Sequence, residues 1–420
     1  MSTATKLAVS IAFLGFSIPV RAQEPRALSL TEAFGLAEKR SEELARRGLG
    51  VSEVDARIRE LWSAVKPSLS LKGSEFLQDA SAQGGALGSF TQKERPEAKV
   101  SLRQPLFAGL REFLAVKAAR AQRASVEAEL ARARDLLYLD TAGAYLDLLW
   151  MRRQIVMRKS MVAVTQDRVS ELKAREKLGR SRKSEVLAAE SQLAQLEAQV
   201  QETLREERSF QETMRFLTGL SGDIAPEEVA LPAEESAEPY LAAAARRPDV
   251  EARRRDAQAA AFLEESAARA YWPTVGLDGN YYLRRTGLQG PIKWDLLLSA
   301  ELPLYTGGAT GARTEQARLR RRSGEEALSL ALRRAESEVR NAHQDLSSYL
   351  SVVRALEKAL SLAEANASAQ AEDYRLGLVT NLDVLGSLNS LGEMRLKLNS
   401  ARLDASYAAA RLTVAAGKVR

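Results

Sequence analysis

Between Leu110 and Lys177 apolar residues recur at helical spacing, with no proline and, apart from Gly143, no glycine. All twelve prolines lie outside two long intervals, residues 106–225 and 304–420. A proline inside a helix costs about 3 kcal/mol, so these gaps mark uninterrupted helices. At 1.5 Å per residue each long helix is a rod on the order of 100 Å. The second rod has the clearest seam: Leu332, Ala335, Val339, Ala342, Leu346, Tyr349, Val353, Leu356, Leu360 and Ala363 alternate in steps of three and four, the spacing of a coiled coil. The first rod has a noisier version in Leu137, Ala144, Leu148, Met151, Ile155 and Val162. A return helix from about Ser184 to Met214 carries Val186, Ala189, Leu193, Leu196 and Val200 at heptad spacing.

The chain says everything twice. Each rod breaks at a Leu-Gly pair and restarts at once, at Leu178-Gly179 and at Leu376-Gly377, which predicts two tight helical hairpins. Gly377 follows Gly179 by 198 residues, and the corner Pro303-Leu304-Tyr305-Thr306-Gly307 follows Pro105-Leu106-Phe107-Ala108-Gly109 by the same 198. The two rods therefore match in length without net insertion. Ahead of each corner lie period-2 segments: SLSLKGSEF from Ser68 and the stretch with Ala98, Val100 and Leu102, then TVGLDGNYYLRR from Thr274 and KWDLLLSAEL from Lys293. These predict one β-hairpin per half, the first around a Gly/Ser/Ala-rich loop at residues 79–94. A helix over Ser29 to about Lys66, with Ser29 or Thr31 able to cap it, precedes the first hairpin. An acidic, proline-bearing segment, residues 221–240, reads as the linker between halves 23–220 and 241–420.

Composition sharpens the picture in three ways. Ala, Leu, Arg and Glu dominate, with 28% charged and 6% aromatic residues, as suits long helices. The absence of cysteine excludes disulfides, thiolate metal sites and thiol catalysis. The formal charge of +6 is spread through mixed-sign helical faces, a solvated surface rather than a nucleic-acid site. Residues 1–22, with Lys6, an apolar run and Val20-Arg21-Ala22, form a secretory signal peptide cleaved after Ala22. No later stretch reaches the roughly 20 apolar residues of a membrane helix, so any membrane crossing uses strands. Four strands cannot close a useful barrel, and the simplest remedy is several chains sharing one.

Candidate chemistry is sparse. No nucleophile–base arrangement, zinc signature or nucleotide fingerprint is present, so the chain is not read as an enzyme, and no cofactor or metal is expected. His343 sits beside the second seam, a surface or groove residue. Asp140 and Asp147, seven apart, share a face that suits a solvated stripe or the lining of a wet duct. Asp383 stands where an acid stabilises a helix N-terminus through the macrodipole.

The duplicated corners QPLFAGL and LPLYTGG, the paired tips KLGRSRKSEVLAAESQL and YRLGLVTNLDVLGSLNSL, and the strands opening at Pro67 and Pro273 resemble the TolC-like outer membrane efflux protein family over nearly the whole mature chain. The resemblance implies an α+β membrane protein: an internally duplicated, long α-helical coiled-coil barrel, with four strands per chain contributing to a homotrimer's 12-stranded transmembrane β-barrel. It implies a place in the outer membrane, extending into the periplasm. It also implies partners: a periplasmic adaptor (membrane fusion) protein and an inner-membrane efflux pump or ABC exporter. Its periplasmic end would close at a gate with Asp383 at the constriction, three copies making a cation-selective ring. Tyr374 and Glu185 match positions that hydrogen-bond across the hairpins to hold the gate shut. Two departures stand out: Gly386 where the family often has a second acid, and Val379 where it has a base, so that either Lys183 or Arg182 substitutes from the other tip or the lock is looser than the family norm. The tips Leu178-Gly179-Arg180-Ser181 and Leu376-Gly377-Leu378-Val379-Thr380 would dock the adaptor.

The implied function is the passive outer membrane exit duct of a tripartite efflux or type I secretion system. The alternative is an exported periplasmic coiled-coil adaptor or structural protein, although such a protein would need one coiled-coil hairpin and an extra β domain. Cell fractionation separates the two: the duct is expected in the outer membrane fraction, released only by detergent. Recovery from the soluble periplasm without detergent would sink it.

Overall fold

A computed structural model describes residues 26–79, 93–286 and 289–419. The signal peptide expected at 1–22 and most of the loop at 79–94 lie outside the described residues. In chain order the elements are β1 (Arg26–Leu28), α1 (Leu30–Arg40), α2 (Glu42–Ser63), β2 (Ser68–Leu77), β3 (Glu94–Ala108), α3 (Arg111–Lys177) and α4 (Lys183–Thr218). There follow β4 (Ile224–Pro226), α5 (Glu238–Ala244), α6 (Pro248–Ala268), β5 (Thr274–Arg285), β6 (Trp294–Glu301), α7 (Ala309–Leu376) and α8 (Asn381–Ala415). The fold is thus mostly helical with a small share of strand.

The two rods come out at 67 and 68 residues. Each starts from a corner of two consecutive left-handed residues, Gly109-Leu110 (φ 68° and 59°) and Gly307-Gly308 (φ 61° and 84°). Leu110 is the only non-glycine among the described residues at positive φ, so the first corner carries strain that the second avoids with a glycine.

β2, β3, β5 and β6 form one antiparallel sheet in that order, with β3 paired to β5 joining the two hairpins. The register sorts the side chains by face. Leu69 lies opposite Leu102, Leu71 opposite Val100, Tyr281 opposite Trp294 and Leu277 opposite Leu298. These residues crowd one face, yet Leu69 is 71% exposed, Trp294 67% and Leu298 65%. The other face is polar and bonded: Ser101 Oγ donates to Asn280 Oδ1 (2.8 Å), Asn280 Nδ2 to Asp295 Oδ1 (2.8 Å), and Tyr282 Oη to Asp295 Oδ2 (2.7 Å). A single chain leaves both sheet edges, β2 and β6, unpaired.

The helical core follows the seam. Ala335, Val339, Ala342 and Leu346 are buried with Ala405, Ala408 and Leu412 of α8 and Val250 of α6. Two seam positions differ from expectation: Leu332 stays exposed, and Leu350 is buried where Tyr349 was expected, the tyrosine remaining exposed. The small residues that α8 offers across this seam leave little depth for a phenol. The helix expected over Ser29 to Lys66 is two helices. Ser41 leaves helical geometry (ψ 108°) and its hydroxyl accepts from Leu44 N, capping α2, just as Ser29 caps α1 by accepting from Glu32 N.

A parallel pair escaped the sequence pattern. β1 runs beside β4, within the acidic segment 221–240. Gln211 holds it with a two-way amide contact: Nε2 donates to Ile224 O (2.9 Å), and Ile224 N donates to Oε1 (3.2 Å). Tyr145 Oη, almost fully buried, lies 2.8 Å from Leu28 O and 2.9 Å from Glu227 O. Further along, Glu234 accepts from Ser347 Oγ (2.7 Å), and His343 Nε2 meets the Glu235 carbonyl (2.8 Å).

Two arginines close the C-terminus of α8, where unpaired carbonyls concentrate negative potential. Arg132 Nη1 donates to Val414 O (2.9 Å); Arg247, 2% exposed, donates to Ala415 O (3.2 Å) and is held by Asp249 and Glu338. Asp135 lies buried beside them. Its Oδ2 accepts no hydrogen bond, and Arg132 comes only to 3.9 Å. Burial pushes this carboxyl up to about 6, against the pull of Arg132. Between the unfolded value near 3.9 and about 6 the folded state holds a proton that the unfolded chain has released, so the burden is full above pH 6, falls progressively below it and is gone only below the unfolded value. D135N is therefore expected to raise the unfolding temperature at pH 8, by at most about 3 kcal/mol in free energy, and to gain little near pH 4.5. A variant less stable than the parent at pH 8 would show that the carboxylate makes an attraction the geometry lacks.

Candidate gate at the helical tips

Both tips are built alike. Gly377 takes φ 77°, and the turn closes by Leu378 N to Asp373 O (2.9 Å) with Gly377 N to Tyr374 O (3.1 Å). Gly179 takes φ 69°, with Arg180 N to Arg175 O (2.8 Å) and Gly179 N to Glu176 O (2.8 Å). This is the Schellman end, in which a left-handed residue lets the last carbonyls be capped. Neither glycine would have a neighbour within 4 Å of an added Cβ, so the backbone angle and not lack of space requires it.

Each return helix then opens with an acid at its third position. Asp383 Oδ2 accepts from Thr380 N (2.8 Å) and Thr380 Oγ1 (2.6 Å), while Asp383 N donates to Thr380 Oγ1 (3.4 Å). Glu185 Oε2 accepts from Ser181 Oγ (2.6 Å) and Arg182 N (3.4 Å). In one chain, then, both acids are helix caps. The Thr380 hydroxyl and then its backbone N–H hold the exposed Asp383 carboxyl below the usual aspartate range. Its capping contribution is complete above the unperturbed value near 3.9 and fades only as pH falls through the lowered one. Asp383 is ionised at neutral pH.

Tyr374 and Glu185 share no hydrogen bond among the described residues, and the Tyr374 hydroxyl has none at all there. Its ring packs with Val169, Leu172, Val186, Ala189 and Leu385 of three other helices. Arg168 of α3 lies over the ring at 4.0 Å and Arg175 at 5.0 Å. Arg168 also donates from Nε to Asn381 Oδ1 (2.9 Å) and from Nη1 to Glu171 (2.6 Å), and Glu171 pairs in turn with Arg175 (2.7 Å). The remaining nitrogen, Nη2, is buried without a partner, which costs roughly 1–3 kcal/mol. Neither Arg182 nor Lys183 makes an ion pair among the described residues, so the substitution expected of them does not occur within the chain.

Arg168 and Asn381 were invisible to sequence reading. Arg168 is one of many charges on a mixed-sign helix, and only the juxtaposition of two distant hairpins distinguishes it.

On the tip surface Leu178 and Leu376 are exposed, as are Gly179, Arg180, Gly377, Thr380 and Leu378, the last by 71%. Ser181 and Val379 are half-buried. A second acidic feature lies higher up: Asp147 of α3 faces Asp404 of α8 across a cavity of about 410 Å³ lined also by Trp150 and Tyr407. Burial raises both carboxyls, and Asp404 adds to the rise at Asp147. Asp147 thus answers to Asp404 and not to Asp140.

Residues 240–418 match the family described as outer membrane efflux protein. Over 398 residues the chain is 22% identical to the outer membrane efflux protein BepC of Brucella suis biovar 1 (strain 1330), covering 93% of this chain and 86% of that one. Its fold is that of the CusC channel, with a TM-score of 0.81 at 18% identity over 93% of this chain and 92% of the other. It is also that of the outer membrane protein VceC from Vibrio cholerae, with a TM-score of 0.80 at 21% identity over 92% and 96%.

Proposed function

We propose, from the premise that this chain belongs to the outer membrane efflux protein family and lies in the outer membrane with its helices reaching into the periplasm, that three copies form the passive exit duct of a tripartite efflux or type I secretion system. The observation that carries the reading is the four-stranded sheet with one exposed apolar face and two open edges. In hydrocarbon an unpaired edge costs several kcal/mol per group, so such a sheet is stable only as part of a closed barrel. Three chains of four strands make the 12-stranded barrel. The same threefold arrangement joins three pairs of matched rods into one helical tube. Residues 23–220 and 241–420 then act as two repeats about the linker 221–240, a division supported by their equivalent corners and tips.

Asp383, together with Tyr374 and Glu185, forms the periplasmic constriction in this reading. Three carboxylates around the axis repel one another, which raises their proton affinity, while the Thr380 cap lowers it. The cap keeps the ring charged at neutral pH, hence attractive to cations. With Gly386 in place of a second acid, the ring is single. The exposed leucines of the tips, with Gly179, Arg180, Ser181, Val379 and Thr380 around them, suit docking to a periplasmic adaptor, which joins the duct to an inner-membrane pump or ABC exporter.

Two measurements test these parts. In planar bilayers D383N, whose amide oxygen can still accept from Thr380 N, is expected to lose cation selectivity and block by multivalent cations; unchanged current on both counts removes Asp383 from the constriction. For the tips, L378D is expected to abolish efflux in cells while oligomers still assemble, and G377P, which cannot reach φ 77°, should do the same. If L378D exports normally, the adaptor docks elsewhere.

A further inference from the structure

Arg168 belongs to the first hairpin, yet two of its three contacts are with the second. It lies over the ring of Tyr374, in the last turn of α7, and bonds Asn381, the first residue of α8. It therefore grips both sides of the second tip at once. We infer that Arg168 is the latch of the duct's periplasmic end, acting through the ring face of Tyr374 and the amide of Asn381, with the tyrosine hydroxyl idle. The inference rests on the gate reading above.

Four features support it. The contact is dry: the Arg168 side chain is 10% exposed and Asn381 1%, so a cation over a ring counts for more than it would in water. Its position is set by α3 itself, since Glu171 takes one oxygen to Arg168 and the other to Arg175 at helical spacing, and Arg175 adds a second guanidinium near the ring. The carboxylate that could have served the Tyr374 hydroxyl, Glu185, is already engaged by Ser181 and Arg182 in its own cap. Finally, the unmet Nη2 donor makes the closed state releasable: when the second hairpin moves away from the first, Tyr374 and Asn381 leave Arg168 together and water reaches the orphaned nitrogen.

The latch is read from the resting current of the full-length protein in planar bilayers, with oligomers checked on unheated gels. R168A and Y374L are each expected to raise open probability roughly tenfold, equivalent to about 1.4 kcal/mol of lost latch energy. Their double variant should open no further than R168A, because the tyrosine acts through the arginine. Y374F should stay closed like the parent, and R168K should not restore closure, because an ammonium cannot stack on the ring and bond Asn381 at once. R168Q, which keeps an amide toward Asn381 but no charge over the ring, should open in the same direction if R168A fails to assemble. Y374F opening as far as Y374L would overturn the inference in favour of the hydroxyl, and R168Q remaining closed would overturn it too. If R168A and Y374L conduct like the parent while D383N loses cation selectivity, the latch fails and the gate stands. Should D383N also be silent, the gate reading itself falls.

Discussion

Every backbone group in a membrane interior must find its hydrogen bond within protein, and this chain's four strands cannot meet that demand alone. Among the described residues their two outer edges, β2 and β6, are open, and nothing covers the face bearing Leu69, Leu71, Trp294, Leu296 and Leu298. The polar face, by contrast, is knit by Ser101, Asn280, Tyr282 and Asp295. A sheet dry on one side and wired on the other suits a barrel wall with lipid outside and water within. The long helices follow directly from the ends of that sheet.

The helices inherit their geometry from the sheet. β3 and β6 each lead into a left-handed corner and then a rod, and the two rods match in length within one residue. Their lower ends are finished by the same turn followed by the same kind of acid cap. Midway, polar contacts add to the apolar packing of Leu28, Leu148, Met214 and Ile224. Gln211 and Tyr145 pin the small parallel pair, and Arg132 and Arg247 close the end of α8. Buried polar groups are costly unless satisfied, and Asp135 is the member of that junction that goes without.

At the tips Asp383 caps its helix within one chain, and the same bonds that do so keep it charged. The constriction proposed above would use that charge without altering a contact. Tyr374 is a different case. A tyrosine that matches a hydrogen-bonding position contributes its face and not its hydroxyl, because an arginine has come to lie on it.

Much was legible from sequence because it depends on short-range physics. Proline exclusion and the three-four seam mark the rods, alternation marks the strands, and a shared displacement of 198 residues marks the duplication. Local chemistry also placed the tip glycines and the capping acid. What escaped depended on residues far apart in the chain. The break at Ser41 lay hidden inside a continuous helical pattern, and β1 and β4 were too short to show a period. The burial of Leu350 in place of Tyr349 follows from the small residues of a partner helix. Arg168 meets Asn381 across 213 residues and Asp147 meets Asp404 across 257. The sequence by itself determined the long helices, the hairpin strands and the tips, because those follow from spacing and backbone angles. Only the tertiary structure decided which charges face one another, because packing two hairpins together selects a few contacts from a surface of interchangeable arginines and acids.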